Sequence, residues 1–208
     1  ILLMKYWLLI FIVHSLIACN NSGSIEKLDS SQRSELDDKE IENRLKRNAN
    51  ELVDFVRSNK IYNQDIAFMI DMKIPSSKNR FMVYNLKEKR ILEKGLVAHG
   101  SGSETEGDTL KFSNIEHSNS TSLGMYKIGG SYIGQFGKAY KLHGLNNTND
   151  KAYLRNVVLH SYYRVPDRET ILPICNSRGC PMVSKNFFLI LEHYIDQSKS
   201  KLILYIYY

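Results

Sequence analysis

Ala67-Phe68-Met69-Ile70-Asp71-Met72 and Arg80-Phe81-Met82-Val83-Tyr84-Asn85-Leu86, joined by the polar turn Ile74-Pro75-Ser76-Ser77-Lys78-Asn79, read as the two strands of a β-hairpin. Outward from this pair, strand signals dominate. Lys87-Glu88-Lys89-Arg90 supplies a turn, and Ile91 to His99 a third strand that ends in Leu96-Val97-Ala98-His99. Ser122 to Gly130 and Tyr132-Ile133-Gly134 mix glycines with aromatics, as a curved sheet with bulges requires. Lys141 to Leu145 forms a short strand, Val157-Val158-Leu159-His160 a buried one, and Lys201 to Tyr208 a last strand completing the sheet. Ser184 is placed to cap a helix with Phe187, Phe188, Leu191, Tyr194 and Ile195 on one face. The fold class is mainly β, in one domain over 61–208, with one or two helices.

Before this domain, residues 35–60 predict an amphipathic helix. Ile41, Leu45, Ala49, Leu52, Val53 and Val56 recur at spacings of three and four, and Asp37, Asp38 and Glu40 stand near the start, where the helix dipole favours acids. Such a helix packs on the domain or serves as a stalk. Residues 20–34 are polar, serine-rich and aperiodic, the signature of a flexible tether. Tyr6 to Ala18 is an apolar run behind Met4-Lys5, short for a membrane span and suited to a secretory signal over 1–19. It ends in Leu16-Ile17-Ala18-Cys19, which resembles a bacterial lipobox. The resemblance implies lipidation of Cys19 and an extracytoplasmic protein held on a membrane, the periplasmic side being expected; an uncleaved anchor helix is the alternative.

The net charge of +6 suits an anionic cell-wall polymer or membrane surface, or is simply a solvated face. Lysines and arginines are scattered and not interleaved with stacking aromatics, which argues against nucleic acid.

The chemistry concentrates in Ser177-Arg178-Gly179-Cys180-Pro181, about twenty residues after the strand ending at His160. A thiol attacks a carbonyl usefully as a thiolate, so Cys180 needs positive charge or backbone amides nearby. Gly179 permits a tight turn, and the amides of Arg178, Gly179 and Cys180 are placed to converge on an oxyanion. His160 is the candidate base, its other ring nitrogen held by a backbone carbonyl near Ser161. A zinc site from Cys175, Cys180 and a histidine lacks a second tight ligand pair, so neither metal nor cofactor is expected. A Cys175–Cys180 disulfide is the more serious rival, because it would consume the nucleophile.

Several ordered segments carry a further resemblance: Gly95-Leu96-Val97-Ala98-His99-Gly100-Ser101-Gly102, Phe112-Ser113-Asn114, Thr121-Ser122-Leu123-Gly124-Met125-Tyr126, Tyr132-Ile133-Gly134, the histidine strand and the Cys180 turn. From Ala67 to Tyr208 the chain resembles the YkuD-type L,D-transpeptidases of bacterial cell walls, in particular the murein L,D-transpeptidase catalytic domain branch. The resemblance implies a mainly β sandwich or barrel. It also implies a Cys180 acyl-enzyme, His160 as base, an oxyanion hole of main-chain amides, and peptidoglycan stem peptides as partners. The implied reaction makes 3-3 cross-links from tetrapeptide stems with release of D-alanine. L,D-carboxypeptidase action and a silent peptidoglycan-binding lipoprotein are the alternatives. His99 and Tyr126 are candidate substrate contacts. Two departures stand out: Ser161-Tyr162-Tyr163 follows the histidine where relatives commonly have glycine, and Arg178 stands where well-known members carry histidine. His143, where relatives more often have an acid, is given no catalytic role.

Overall fold

The computed structural model describes residues 30–107 and 109–208, with side chains from residue 35 onward. The signal segment, Cys19 and the tether up to residue 29 lie outside the described residues. Helix α1 spans Ser30–Ser58. It therefore begins inside the stretch expected to be a tether, since an established helix gains one hydrogen bond for each residue added, even without an apolar face. Asp37, Asp38 and Glu40 fall beyond its first turn, so the dipole argument made for them does not apply.

The sheet strands are β1 (Ile66–Asp71), β2 (Phe81–Asn85), β3 (Arg90–Gly95), β4 (Val97–Ala98), β5 (Gly124–Gly134), β6 (Gly137–Gly144), β7 (Val158–Ser161), β8 (Met182–Val183) and β9 (Ile203–Tyr207). They form one sheet in the order β3-β2-β1-β9-β5-β6-β7-β8-β4. The two ends of that order, β3 and β4, are joined through the single residue Leu96, which nearly closes the sheet on itself. The expected third strand over 91–99 is thus two strands: the chain leaves β2 after Gly95 and pairs Val97 and Ala98 with β8. A Cβ on Gly95 would run into the Phe187 ring at 2.3 Å, so this crossing point is packed against helix α2.

Both faces of β1 are covered, which accounts for its unbroken apolar run. Phe68 and Ile70 face a core shared with Phe187, Phe188 and Leu191 of α2 (Lys185–Gln197). Ala67 and Met69 face a second core made with Ala49, Leu52, Val53 and Val56 of α1. Helix α1 is therefore packed on the domain, and a buried ion pair, Arg44 Nε to Asp71 Oδ2 at 3.0 Å, fastens it to the end of β1. Helix α2 starts as expected, with Ser184 Oγ accepting from the Phe187 N–H at 3.2 Å. The β5–β6 ladder shifts register between Ile128 and Ser131, at Gly129-Gly130, as glycines among aromatics suggest.

Candidate active site

His160 enters the site from β7, whose parallel pairing with β8 sets His160 opposite Met182. The backbone N–H of His160 donates to the Pro181 carbonyl at 3.4 Å, so the imidazole strand lies directly beside the segment that carries Cys180. Ring nitrogen Nδ1 lies 3.0 Å from the Ser161 carbonyl and donates to it, which leaves Nε2 as the basic atom. Burial pushes this imidazole below its ordinary value, with the Ser161 bond opposing the shift. It rests neutral, as a proton acceptor must. The ring of Phe136, from the β5–β6 turn, stacks on it with centroids 5.2 Å apart.

Cys180 follows a glycine in the left-handed region, Gly179 at φ +109°. A Cβ there would meet the Ser120 carbonyl at 2.9 Å, so the turn requires glycine for both conformation and space. Ser177 bonds to the neighbouring segment on both sides of its peptide: its N–H donates to the His99 carbonyl, and its carbonyl accepts from the Ser101 N–H, each at 2.8 Å. Segments 99–102 and 118–120 pack on this turn.

The thiol does not rest on the imidazole. Its hydrogen-bond partners among the described residues are the Val158 N–H at 3.4 Å and the Asn156 carbonyl at 3.7 Å. Asn156 is itself left-handed, at φ +54°, a conformation asparagine tolerates better than most residues. Burial pushes the Cys180 thiol up, while the Val158 N–H, Arg155 and Lys141 pull it back in part. The net upward shift departs from the lowered thiol expected from nearby positive charge or backbone amides. The cations that act on the sulfur are Arg155 and Lys141, and the resting sulfur is protonated.

Arg155 was not singled out by sequence. Its guanidinium donates to the carbonyls of Ser113 at 2.9 Å and Ser120 at 2.6 Å and to the hydroxyl of Ser122. It lies 3.3 Å from where a Cβ on Gly179 would be. One arginine thus holds the serine-rich loops against the cysteine turn and supplies charge. The signal available was indirect, since Phe112-Ser113-Asn114 and Thr121-Ser122 were already notable segments without an assigned task.

The oxyanion expectation needs one correction. The Gly179 N–H donates to Ser177 Oγ at 3.0 Å and is engaged within the turn. The Arg178 and Cys180 amides have no hydrogen-bond partner among the described residues and are the donors left for an oxyanion. Cys175 and Cys180 are both free thiols, so no disulfide removes the nucleophile.

The two candidate substrate contacts fall elsewhere. Tyr126 is 1% exposed and its hydroxyl donates to the Ser122 carbonyl at 2.7 Å, so it backs the site as core and offers no face to a ligand. The side chain of His99 lies against Arg80 Nη2 at 2.8 Å and lines a different cavity. Beside His160 is a cleft of about 540 Å³ lined by Phe136, Tyr162, Tyr163, Lys138 and Lys185, with Ser161 at its edge.

The family model described as L,D-transpeptidase catalytic domain matches residues 37–207, which takes in most of α1 as well as the sheet. Among solved structures, the chain is similar to an L,D-transpeptidase from Xylanimonas cellulosilytica, at 13% identity and a TM-score of 0.35, covering 69% of this chain and 60% of that one. It is also similar to the helical cell shape determining protein Pgp2 from Campylobacter jejuni, at 13% identity and a TM-score of 0.44, covering 68% of this chain and 47% of that one. L,D-transpeptidase 1 of Mycobacterium tuberculosis matches at 11% identity and a TM-score of 0.35, covering 68% of this chain and 61% of that one. The chain thus spans less than two thirds of these structures. No curated protein matches it.

Proposed function

The chain belongs to the L,D-transpeptidase catalytic domain family, and from that premise we propose that it is a cysteine-dependent peptidoglycan L,D-transpeptidase forming 3-3 cross-links. The observation that carries this reading is the pairing of a glycine-turn thiol flanked by two unspent amides with a neutral imidazole whose Nδ1 is pinned to Ser161. Acylation begins when the Cys180 thiol leaves the Asn156 carbonyl by rotation about its Cα–Cβ bond and gives its proton to His160 Nε2. The sulfur attacks the carbonyl at the L-centre of the third stem residue, and the oxyanion takes the amides of Arg178 and Cys180. The C–N bond to the terminal D-alanine breaks as His160 returns the proton to the leaving amine. An amine of a second stem then attacks the thioester, losing its proton to His160, and the thiol is restored. Water in place of the amine gives L,D-carboxypeptidase action. The cleft beside His160 offers aromatic walls and two lysines to a stem peptide.

Intact mass after exposure to a carbapenem tests the nucleophile. One adduct is expected on the protein and none on Cys180→Ala; absence of an adduct on the reduced protein would favour a silent peptidoglycan-binding module. Incubation with tetrapeptide stems is expected to yield linked dimers, whereas tripeptide alone would identify a hydrolase.

The same reading places the protein outside the cytoplasm, on the periplasmic side, tethered by a lipid on Cys19. Metabolic labelling with a fatty acid analogue is expected to mark the protein and to fail with Cys19→Ala; no labelling of the unaltered protein would remove the lipid tether, and unchanged labelling of the variant would remove Cys19 as its site.

A further inference from the structure

A second cavity, of about 540 Å³, is lined by neither Cys180 nor His160. Its walls are apolar, from Met72, Ile74, Pro75, Leu110 and Pro173, while Arg80 and His99 supply polar surface and Glu104 stands at its edge. Arg80 is 1% exposed and His99 5%. Arg80 Nε and Nη2 donate to the Val97 carbonyl at 3.0 and 2.9 Å, Nη1 donates to the Ile74 carbonyl at 3.0 Å, and Nη2 meets His99 Nδ1 at 2.8 Å. A guanidinium only donates, so His99 Nδ1 is the acceptor and the proton of the neutral ring sits on Nε2. That buried Nε2–H has no hydrogen-bond partner among the described residues. The nearest carboxylate oxygen, Glu104 Oε1, is 3.5 Å away, beyond the length of a good N–H···O bond. Arg80 makes four of the five hydrogen bonds its N–H groups allow, leaving one on Nη1. The carboxylate of Asp71, the acid in its vicinity, is already paired with Arg44.

We propose that this cavity binds the carboxylate of a small apolar acid, such as an N-acylated amino acid or a peptide C-terminus, at His99 Nε2–H. A buried guanidinium with no ion pair of its own, and a buried donor with no acceptor, among the described residues, both favour an anion. The donor character of Nε2 excludes a cation, and the apolar walls suit a small side chain next to the carboxylate. Glu104, half-exposed and aimed at the same nitrogen, is the built-in competitor that an incoming carboxylate displaces. The site is separate from the thiol, so it stands whether or not Cys180 is acylated.

The test is an amide chemical-shift titration of the full chain carrying Cys180→Ala, which removes acylation from the measurement. The probes are N-acetyl-D-alanine, its C-terminal amide and inorganic phosphate. Saturable shifts around His99, Glu104 and Leu110 are expected with the acid alone. Glu104→Gln is expected to tighten binding several-fold, because it removes the competing charge and leaves the cavity intact. His99→Phe is expected to abolish it. Equal binding of the amide, binding of phosphate alone, shifts centred on Asn156 and Cys180, or weaker binding in Glu104→Gln would each overturn the proposal.

Discussion

The carbonyl of Ser120 stands 2.9 Å from the position a side chain on Gly179 would take, and the same carbonyl receives a 2.6 Å bond from Arg155. The residue before the thiol is therefore closed off by backbone that an arginine holds in place. Gly179→Ala adds a methyl against fixed backbone at φ +109°, and the left-handed conformation alone costs about 1–2 kcal/mol. Lower thermal stability and carbapenem acylation slowed by about 10²-fold are expected, because the turn moves the sulfur and both oxyanion amides together. Melting temperature and a mass-resolved acylation time course check this.

His160 acts through one nitrogen. With Nδ1 committed to Ser161, His160→Asn removes the only proton acceptor the proposed mechanism uses, and acylation is expected to fall by about 10²–10⁴-fold. Alkylation by iodoacetamide at high pH, where the thiol ionises unaided, is expected to survive, which separates loss of the base from loss of the fold.

The pH profile follows from two opposed shifts. His160 is held below its ordinary value and Cys180 above its own, so both are neutral at pH 7 and acylation is expected to rise as pH increases into the alkaline range. Arg155→Gln removes a cation that opposes the upward shift of the thiol, and the midpoint of that rise is expected to move up. A downward or absent movement would show that Arg155 acts on loop position alone.

Acid stability is governed in part by His99. Burial and the Arg80 charge lower its folded value to about 4, against Glu104, which raises it; an unfolded histidine titrates near ~6.5. Between those values the unfolded chain binds more protons, so stability falls as pH drops through that window. This group contributes a loss of order 3 kcal/mol by its lower end. Urea midpoints at pH 7, 5.5 and 4.5 are expected to fall in that order, and less steeply in His99→Gln.

The fastening of α1 is the last case. Asp71 is fully buried and pairs with Arg44 across the helix–sheet junction. Arg44→Ala leaves that carboxylate unpaired, and a loss of about 3–5 kcal/mol is expected in denaturant unfolding. A loss below about 1 kcal/mol would mean that water reaches Asp71 once the arginine is gone.

Local pattern carried β1, β2, β7, α2 and the Ser184 cap, because each depends on neighbours a few residues away. The break at Leu96 was not legible: Ile91 to His99 is uniformly strand-like, and the change of partner is set by tertiary neighbours, Phe187 against Gly95 and β8 against Val97 and Ala98. The cysteine turn and the histidine strand were legible as chemistry. The parking of the sulfur on Asn156 and the role of Arg155 were not, because their partners come from loops up to 42 residues distant, while the engaged Gly179 amide depends on how the side chain of Ser177, two residues away, is turned.

Strand β9 lies between β1 and β5, parallel to the first and antiparallel to the second. A ribosome makes it after every other described strand, yet it lies in the interior of the sheet. Apart from the Leu96 link from β3 to β4, the β1–β3 block and the β5–β8 block share no paired edge until those residues emerge, so the nascent chain holds two parts of its sheet unjoined. The union of those two parts is thus a property acquired only once Ile203–Tyr207 is synthesised, and a truncation reaching Ile203 removes it.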